Sequence, residues 1–377
     1  MSVIKSKLNL KLKDENGKID FLMLVSILVL LALGLIMVGS ASSYYAINNG
    51  NDSNYFLVRQ LQFAVVGIIA MIVLSNVDYK IYKKFSYLIY IFAVLLLIAV
   101  IVPGLGQTRN GATRWLGIGM FTFQPSEAMK IALVMATATY LAINYKKLGS
   151  IKGYIVPALM LGVVVGIMFL QKHLSGSIIM IVASIAIIYA SGIKINVRLV
   201  IIVGLIGAIG LTGFILAEDF RIARVKAFLN PEENIRGDNW QAAQSLYAIG
   251  SGHLFGMGLG QSRQKYSWLP EAQNDFIFAV VGEELGLVGS VGILGLFSFF
   301  IYRGYLIALK SQDLYGSLLA TGITSVFAFQ ILVNIAVVTA SMPVTGMPLP
   351  FFSYGGTALL INLCAMGILL NISKTCK

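Results

Sequence analysis

Charged residues are scarce in this sequence. Only 12% of the 377 residues are charged and 58% are hydrophobic, whereas about 25% of the residues in an average soluble domain are charged. This scarcity excludes an ordinary soluble fold. The composition is instead typical of an integral membrane protein.

Cysteine and histidine are also scarce, with two residues of each. Cys364 lies in the last apolar run and Cys376 well beyond it, so we expect no disulfide. His173 and His253 have no HxxxH partner, which argues against a histidine metal site. The glycine-rich stretch 250–260 lacks the GK[ST] of a nucleotide-binding loop, so ATP binding is not indicated. That stretch is either a phosphate-contacting backbone or a flexible turn.

Long apolar runs are abundant. A helix needs about 20 mainly apolar residues to cross a bilayer. Ten windows of this kind fit along the chain, near 20–41, 56–75, 85–103, 126–144, 154–171, 174–191, 199–217, 275–302, 314–340 and 353–372. We therefore predict an all-α polytopic membrane protein of about ten transmembrane helices. It forms a single domain over 1–377, with an N-terminal tail at 1–18.

Basic residues are unevenly distributed, and the net charge is +12. Most lysines and arginines fall in alternate loops, which by the positive-inside rule places both termini in the cytoplasm. The net charge then reflects topology, so nucleic acid is not an expected partner. The first apolar run is long enough to span, which favours an uncleaved first helix over a signal peptide.

Two connections on the predicted outer side are long, 104–125 and 218–274, and function is expected there. Nine of the sixteen acidic residues lie between 218 and 284: Glu218, Asp219, Glu232, Glu233, Asp238, Glu271, Asp275, Glu283 and Glu284. For the first four, a solvated loop is the favoured interpretation. Within the second loop, Trp240, Ala243, Leu246 and Tyr247 share one helical face, which predicts a short interfacial helix.

Ionisable residues within or beside apolar runs are candidates for function. Glu127 and Lys130 are three residues apart on one helical face, as either a structural ion pair or part of a site. Asp275 stands at the outer mouth of the eighth predicted span. It is either a general base, favoured by partial desolvation, or a helix cap.

Cations on the outer loops, Arg109, Arg114, Arg263 and Lys265, could contact a substrate phosphate or simply anchor lipid headgroups. Gln330 and Asn334, four apart in the ninth span, are expected to form helix-to-helix hydrogen bonds. The segment "MPVTGMPLPFFSYGG" has three prolines and three glycines, which predicts a non-helical entry to the tenth span.

Six ordered motifs carry a resemblance: "VGSAS", "NGATRWL", "QPSEAMK", "GDNWQAAQSLYAIGSG", "KYSWLPEAQNDFIFAVVGEELG" and "PVTGMPLPFFSYGGTALL". Together they span nearly the whole chain. The sequence resembles the SEDS family of cell-wall proteins, and within it the FtsW and SpoVE branch more than RodA.

The resemblance implies a peptidoglycan glycosyltransferase that polymerises lipid II at the outer face of the bacterial cytoplasmic membrane. Asp275 matches the family's essential aspartate, in the "DFIFA" motif, and would act as general base. Arg114, Glu127, Lys130, Lys265 and Glu271 match other motif positions near the central cavity and would bind substrate. An α-linked donor giving a β-linked product implies an inverting single displacement.

The resemblance also implies partners: lipid II and the undecaprenyl-diphosphate-linked glycan, a class B penicillin-binding protein, other division proteins and membrane lipids. A divalent cation, Mg²⁺ or Mn²⁺, is an optional cofactor whose ligands the sequence does not identify, and no nucleotide is expected. Division at the septum is the preferred process. The alternatives are a lipid II transporter and a non-catalytic scaffold.

The chain departs from the family in two places. Where many members read "QPDLGT", this sequence reads "QKHLSGS", so the acid is replaced by His173. Where "GSGG" is commoner, it reads "GSGH", which makes His253 a variation rather than a site.

Overall fold

The structure is a computed structural model that describes residues 17–109, 112–118, 121–145, 151–192, 222, 228, 237, 239–266 and 268–376. The seventh predicted span, 199–217, lies outside the described residues. So do most of the tail at 1–18 and the acidic residues Glu218, Asp219, Glu232, Glu233 and Asp238.

The described part of the chain contains ten α-helices. In chain order they are α1 (Phe21–Asn48), α2 (Tyr55–Ser75), α3 (Lys80–Ile101), α4 (Pro125–Ile143), α5 (Ile155–Leu170), α6 (Leu174–Ala190), α7 (Trp240–Ser251), α8 (Ile277–Lys310), α9 (Leu314–Val338) and α10 (Gly356–Ser373). A 3₁₀ turn, Ile151–Tyr154, precedes α5. Apart from α7, each helix coincides with one of the predicted windows.

Seven of these helices, α1 to α4 and α8 to α10, are long and apolar enough to cross a membrane, and α5 and α6 are shorter apolar helices. The mostly helical, polytopic fold predicted from the sequence is confirmed. Local sequence sets several helix starts. Asp20 caps α1 by accepting from the Met23 N–H at 2.8 Å, Asp313 caps α9 through the Gly316 N–H at 2.6 Å, and Pro125 opens α4.

The helices pack as a bundle with α4, α9 and α10 mostly buried. Helix α2 packs along α10, α3 along α4, and α9 lies between α6 and α8. We call the end of the bundle that carries a small β-sheet the sheet side. The opposite end is the terminus side, where the Gly17 N–H donates to the Lys374 carbonyl and Arg303 pairs with Asp20.

The first long loop contains a structure that the sequence did not predict. Strands β1 (Gly106–Arg109), β2 (Ala112–Ile118) and β3 (Phe121–Phe123) form an antiparallel meander in that order. Gln107 pairs with Trp115, and Leu116 pairs with Phe123. The sheet lies directly before α4, so it holds β2 next to the N-terminus of that helix.

Helix α7 lies in the second long loop, where the sequence predicts a short interfacial helix. Its apolar residues Leu246 and Tyr247 are exposed, whereas Gln244 and Ser245 are buried. The Ser245 hydroxyl donates to the Val338 carbonyl at 2.6 Å, at the end of α9. The polar face of α7 therefore packs into the bundle and the apolar face points outward.

Helix α8 is broken at Gly286, whose φ and ψ are 66° and −166°. The chain after α7 satisfies the peptide groups on both sides of this break. The Leu287 and Val288 N–H groups donate to carbonyls of residues 253 and 254, at 2.9 and 3.0 Å. In return, the Met257 and Gly258 N–H groups donate to the Glu283 and Glu284 carbonyls, at 2.9 and 3.1 Å.

Replacing Gly286 with alanine should destabilise the fold. A Cβ atom there would lie 2.3 Å from the Gly256 nitrogen, and the φ value disfavours any L side chain. We expect a loss of at least about 1–3 kcal/mol in unfolding free energy, measured in detergent. The matched control is Gly292→Ala on the same helix, where a Cβ meets nothing within 4 Å. Equal stability of the two variants would show that the break does not require glycine.

Candidate active site

A partly enclosed cavity of about 1190 Å³ opens at the sheet side. Its wall is formed by the N-terminal ends of α2, α4, α6 and α10, by residues 273–276 just before α8, by strand β2 and by the non-helical segment 339–355 between α9 and α10. The prolines and glycines of that segment predicted its lack of helix. The cavity therefore lies where this non-helical segment meets the N-terminal ends of several helices.

Five of the six residues predicted for the site line this one cavity: Arg114, Glu127, Lys130, Glu271 and Asp275. They come from a strand, a helix and a loop that are up to 161 residues apart in sequence, since 275 minus 114 is 161. The structure brings them together, but their roles in binding or catalysis stay predictions. Lys265 is not among the lining residues.

Asp275 lies just before α8 and is half-buried in the cavity wall. The N-cap of α8 is Phe276. Position 346 is a glycine with φ of 65°, and a Cβ there would lie 3.3 Å from Asp275 Oδ2, so the carboxylate rests against backbone. Because residue 346 is glycine, no side chain stands between the Asp275 carboxylate and the backbone at that position.

The backbone around Asp275 is held by buried polar side chains. Asn334 Nδ2 donates to the Asp275 carbonyl at 2.8 Å and to the Met347 carbonyl at 2.7 Å. The Ser353 hydroxyl donates to the Asn274 carbonyl at 2.6 Å, and the Tyr354 N–H donates to the Gln273 carbonyl at 2.9 Å. Residues 273–275 and 347–354 are thus joined into one unit.

Glu127 and Lys130 form the ion pair that their spacing predicted. The Lys130 Nζ atom lies 2.8 Å from Glu127 Oε2 and also donates to Gln330 Oε1 at 2.9 Å. Gln330 in turn donates from Nε2 to the Pro348 carbonyl at 2.8 Å. Lys130 is therefore linked through Gln330 to the same non-helical segment that holds Asp275.

Two other predicted residues contact the loops beside the cavity. Arg114, on β2, donates from Nη2 to the Lys172 carbonyl at the turn before α6. Glu271 has a positive φ of 57° and accepts a hydrogen bond from Asn274 Nδ2. A left-handed backbone at a non-glycine residue is uncommon and often occurs at functional sites.

Lys265 occupies a separate buried cluster. Its Nζ atom lies 3.2 Å from Glu284 Oε1 and donates to the Gly260 carbonyl at 2.6 Å. Ser40 of α1 donates to the same glutamate at 2.6 Å. The neighbouring Glu283 accepts from the Ser262 hydroxyl and from the Arg263 N–H at 2.9 Å. This cluster fixes the segment 258–266 to the first part of α8.

Sequence reasoning missed several residues of the cavity wall. Gln330 and Asn334 were expected to form helix-to-helix hydrogen bonds, and Gln330 does accept one from Lys130 of α4. Both side chains also donate to the backbone of the non-helical segment 339–355, which the sequence did not predict. Arg59 and His173 line the cavity, although neither was proposed as a site residue. His173 is a single residue at a turn, and no sequence pattern marked it as a residue of the site.

The described residues contain no group of three or more His, Cys, Asp or Glu side chains placed to hold a metal ion. Within the cavity, Glu127 is already paired with Lys130. The donor set of the described wall therefore does not fit a cation held by protein ligands alone.

Comparison with known proteins gives a consistent result. The FtsW, RodA and SpoVE family, described as cell cycle protein, matches residues 21–377. Stage V sporulation protein E of Bacillus subtilis is 46% identical over 358 residues, covering 94% of this chain and 97% of the relative. A protein of Trichlorobacter lovleyi named probable peptidoglycan glycosyltransferase FtsW is 39% identical over 361 residues, covering 95% and 94%.

Solved structures agree with the sequence relatives. A chain from a peptidoglycan synthase complex that coordinates polymerization and crosslinking aligns with a TM-score of 0.76 at 27% identity, covering 94% of this chain and 97% of that one. The rod shape determining protein RodA of Thermus thermophilus aligns with a TM-score of 0.67 at 28% identity, covering 94% and 96%. The chain is a multi-pass membrane protein and belongs to the FtsW, RodA and SpoVE family of cell cycle proteins.

Proposed function

We propose that this protein is a peptidoglycan glycosyltransferase, which polymerises lipid II into glycan strands at the outer face of the cytoplasmic membrane during septal wall synthesis. The observation that carries the proposal is the cavity at the sheet side, where the Asp275 carboxylate shares one wall with Arg114 and the Glu127–Lys130 pair. The relatives named as glycosyltransferases support the same reaction class.

The reaction is an inverting single displacement. Asp275 takes the proton from the acceptor hydroxyl while the hydroxyl oxygen bonds to the anomeric carbon of the donor. The bond from that carbon to the diphosphate oxygen breaks, and undecaprenyl diphosphate leaves with the electron pair. Arg114 and the helix N-termini around the cavity stabilise the negative charge on the leaving group. Because the donor carries its own leaving group, no nucleotide is needed.

A divalent cation is not assigned a step in this mechanism. Among the described residues, no three His, Cys, Asp or Glu side chains lie close enough together to hold an ion. A Mg²⁺ or Mn²⁺ ion would have to take most of its ligands from the substrate diphosphate and water, which is common for Mg²⁺.

The partners proposed for the chain are a class B penicillin-binding protein, which would crosslink the strands, and other division proteins at the septum. The structural similarity to a peptidoglycan synthase complex supports the first of these. A lipid II transporter is the second candidate, because transporters also use broken helices such as α8. The concentration of polar lining residues at one end of the bundle favours the enzyme.

Replacing Asp275 with asparagine should abolish strand synthesis without unfolding the protein. The purified chain would be given labelled lipid II together with its penicillin-binding partner. Loss of a general base lowers the rate by about 10²- to 10⁴-fold. Asp52→Asn, at an exposed carboxylate on the sheet side, is the matched control. Normal polymerisation by Asp275→Asn would refute the role of Asp275 as the base. A wild-type protein that makes no glycan strands would contradict the glycosyltransferase proposal and favour a transporter or a scaffold.

Lys265 is proposed to act through Glu284 rather than on the substrate. Lys265→Met leaves a buried carboxylate unpaired and should cost about 3–5 kcal/mol of unfolding free energy. Adding Glu284→Gln removes that charge, so the double variant should regain stability and part of its polymerisation. Denaturation and lipid II assays on the three variants test this. A stable but inactive double variant would instead indicate substrate binding by Lys265.

Both termini are proposed to be cytoplasmic, which places the sheet side outside. Basic residues at the terminus side support this, among them Lys80, Lys84 and Arg303. In a background with Cys364 and Cys376 replaced by serine, Asn51→Cys should react with an impermeant maleimide in intact cells. Lys80→Cys should react only after the membrane is opened. The reverse pattern would overturn the orientation.

A further inference from the structure

The glycine-rich stretch 250–260 follows α7 and packs against the break in α8. The sequence allowed two interpretations of it, a phosphate-contacting backbone or a flexible turn. The Met257 N–H donates to the Glu283 carbonyl at 2.9 Å, and the Gly258 N–H donates to the Glu284 carbonyl at 3.1 Å. These N–H groups are engaged within the protein. The stretch is therefore a packed part of the fold, which neither interpretation anticipated.

Two glycines let this stretch lie directly on the α8 backbone. A Cβ atom at Gly252 would lie 1.9 Å from the Gly282 carbonyl oxygen. A Cβ atom at Gly256, whose φ is 81°, would lie 2.1 Å from the Glu284 carbonyl oxygen. Any side chain at either position would push the stretch away from α8, so the glycine pattern is explained by close backbone contact.

The level of this contact within the membrane follows from α1. Asp20, which caps α1 and pairs with Arg303, marks the terminus side. Ser40, whose hydroxyl donates to Glu284 at 2.6 Å, lies 20 residues further along, since 40 minus 20 is 20. At a rise of about 1.5 Å per residue this separation is about 30 Å, the thickness of a hydrocarbon core. Glu284 therefore lies near the sheet-side edge of the core, and the α8 residues that follow it lie inside the core.

The stretch reaches this depth with apolar side chains that point outward. The carbonyls of residues 253 and 254 accept from the Leu287 and Val288 N–H groups, which lie beyond Glu284 in α8. Leu254 is 57% exposed and Phe255 is 80% exposed. Leu287 and Val288 are exposed beside them, on a helix that crosses the membrane. The apolar surface of the stretch is thus continuous with the lipid-facing surface of α8.

Aromatic residues next to the stretch lie at the headgroup level. Tyr266 packs edge-on against Tyr44, with ring centroids 4.9 Å apart, and Tyr44 is one turn beyond Ser40 on α1. Trp268 is exposed, and its carbonyl accepts from Trp240 Nε1 at 2.8 Å. Tyr and Trp are enriched at membrane–water interfaces. The stretch therefore has aromatic residues on its water side and aliphatic residues and Phe255 on its lipid side.

We propose that residues 254–259 form a re-entrant segment that inserts Leu254, Phe255 and Leu259 among the acyl chains of the sheet-side leaflet. All three side chains are exposed. Irregular backbone is tolerated at this depth where its peptide groups bond to protein, and here they bond to α8. The occupant is lipid rather than a partner protein, because these side chains continue a surface that already faces lipid. The segment anchors α7 and the start of α8 to the membrane, independently of the chemistry proposed for the cavity.

The test places single cysteines in the full chain, with Cys364 and Cys376 replaced by serine. Each cysteine carries an environment-sensitive fluorophore, and the protein is reconstituted in lipid nanodiscs. Nitroxides on the acyl chains quench labels in the hydrocarbon, and iodide quenches labels in water. A label at Phe255→Cys should be quenched at least about threefold more by nitroxide than by iodide, because the segment lies within about 5–10 Å of the headgroup–acyl boundary.

Two exposed positions serve as controls. Val291→Cys, on the outer face of α8, reports lipid, and Asn51→Cys, in the polar loop between α1 and α2, reports water. A label at Phe255→Cys that is quenched like the one at Val291→Cys supports the proposal. Quenching by iodide, as at Asn51→Cys, would overturn it because the segment then lies in water. Quenching by neither would also overturn it, since protein would then cover the segment.

Leu254→Cys repeats the measurement at the neighbouring position and should give the same preference for nitroxide. Both substitutions shorten exposed side chains, so the unfolding midpoint should stay that of the cysteine-free background. Opposite preferences at Leu254→Cys and Phe255→Cys would show that the segment does not insert as a unit.

Discussion

Peptide groups that leave a helix inside an apolar bundle have no water to bond, so each needs a partner within the protein. Two such places among the described residues are the break at Gly286 and the segment 339–355. At the break, the backbone after α7 supplies both donors and acceptors. At the segment, amide side chains do so: Gln330 bonds Pro348, and Asn334 bonds Met347.

The same bonds place the Asp275 carboxylate, which is the proposed general base. The amide nitrogen of Asn334 donates to both the Asp275 and the Met347 carbonyls. The segment just before α8 and the segment 339–355 therefore cannot shift independently. Gln60 of α2 adds a third attachment, donating to the Ser353 carbonyl at 3.2 Å and accepting from the Gly355 N–H at 3.1 Å. A carboxylate carried on backbone fixed in this way needs little reorganisation when substrate binds, which is what general-base catalysis requires.

Structural features with a regular period along the sequence could be predicted, whereas irregular features could not. Apolar windows predicted nine helices, and the i, i+3 spacing predicted the Glu127–Lys130 pair, because helix geometry fixes both. The β-sheet at 106–123 was missed because its strands are short and lie in a glycine-rich loop. Five of six site residues share the cavity, but the sequence could not separate Lys265 from them. That residue's partner, Glu284, is 19 positions away and is reached only because α8 breaks beside it.

The positive character of the cavity has two sources, its cationic side chains and the helix N-termini in its wall. A buried, unpaired lysine would be costly in the empty enzyme, and Lys130 is in fact bonded to both Glu127 and Gln330. Helix N-termini carry partial charges that need no counter-ion, so an empty cavity lined by them stays stable. In the proposed reaction, the same N–H groups would donate charge-assisted hydrogen bonds to the leaving diphosphate. A wall of this kind would favour a charged leaving group over a neutral sugar at the same place.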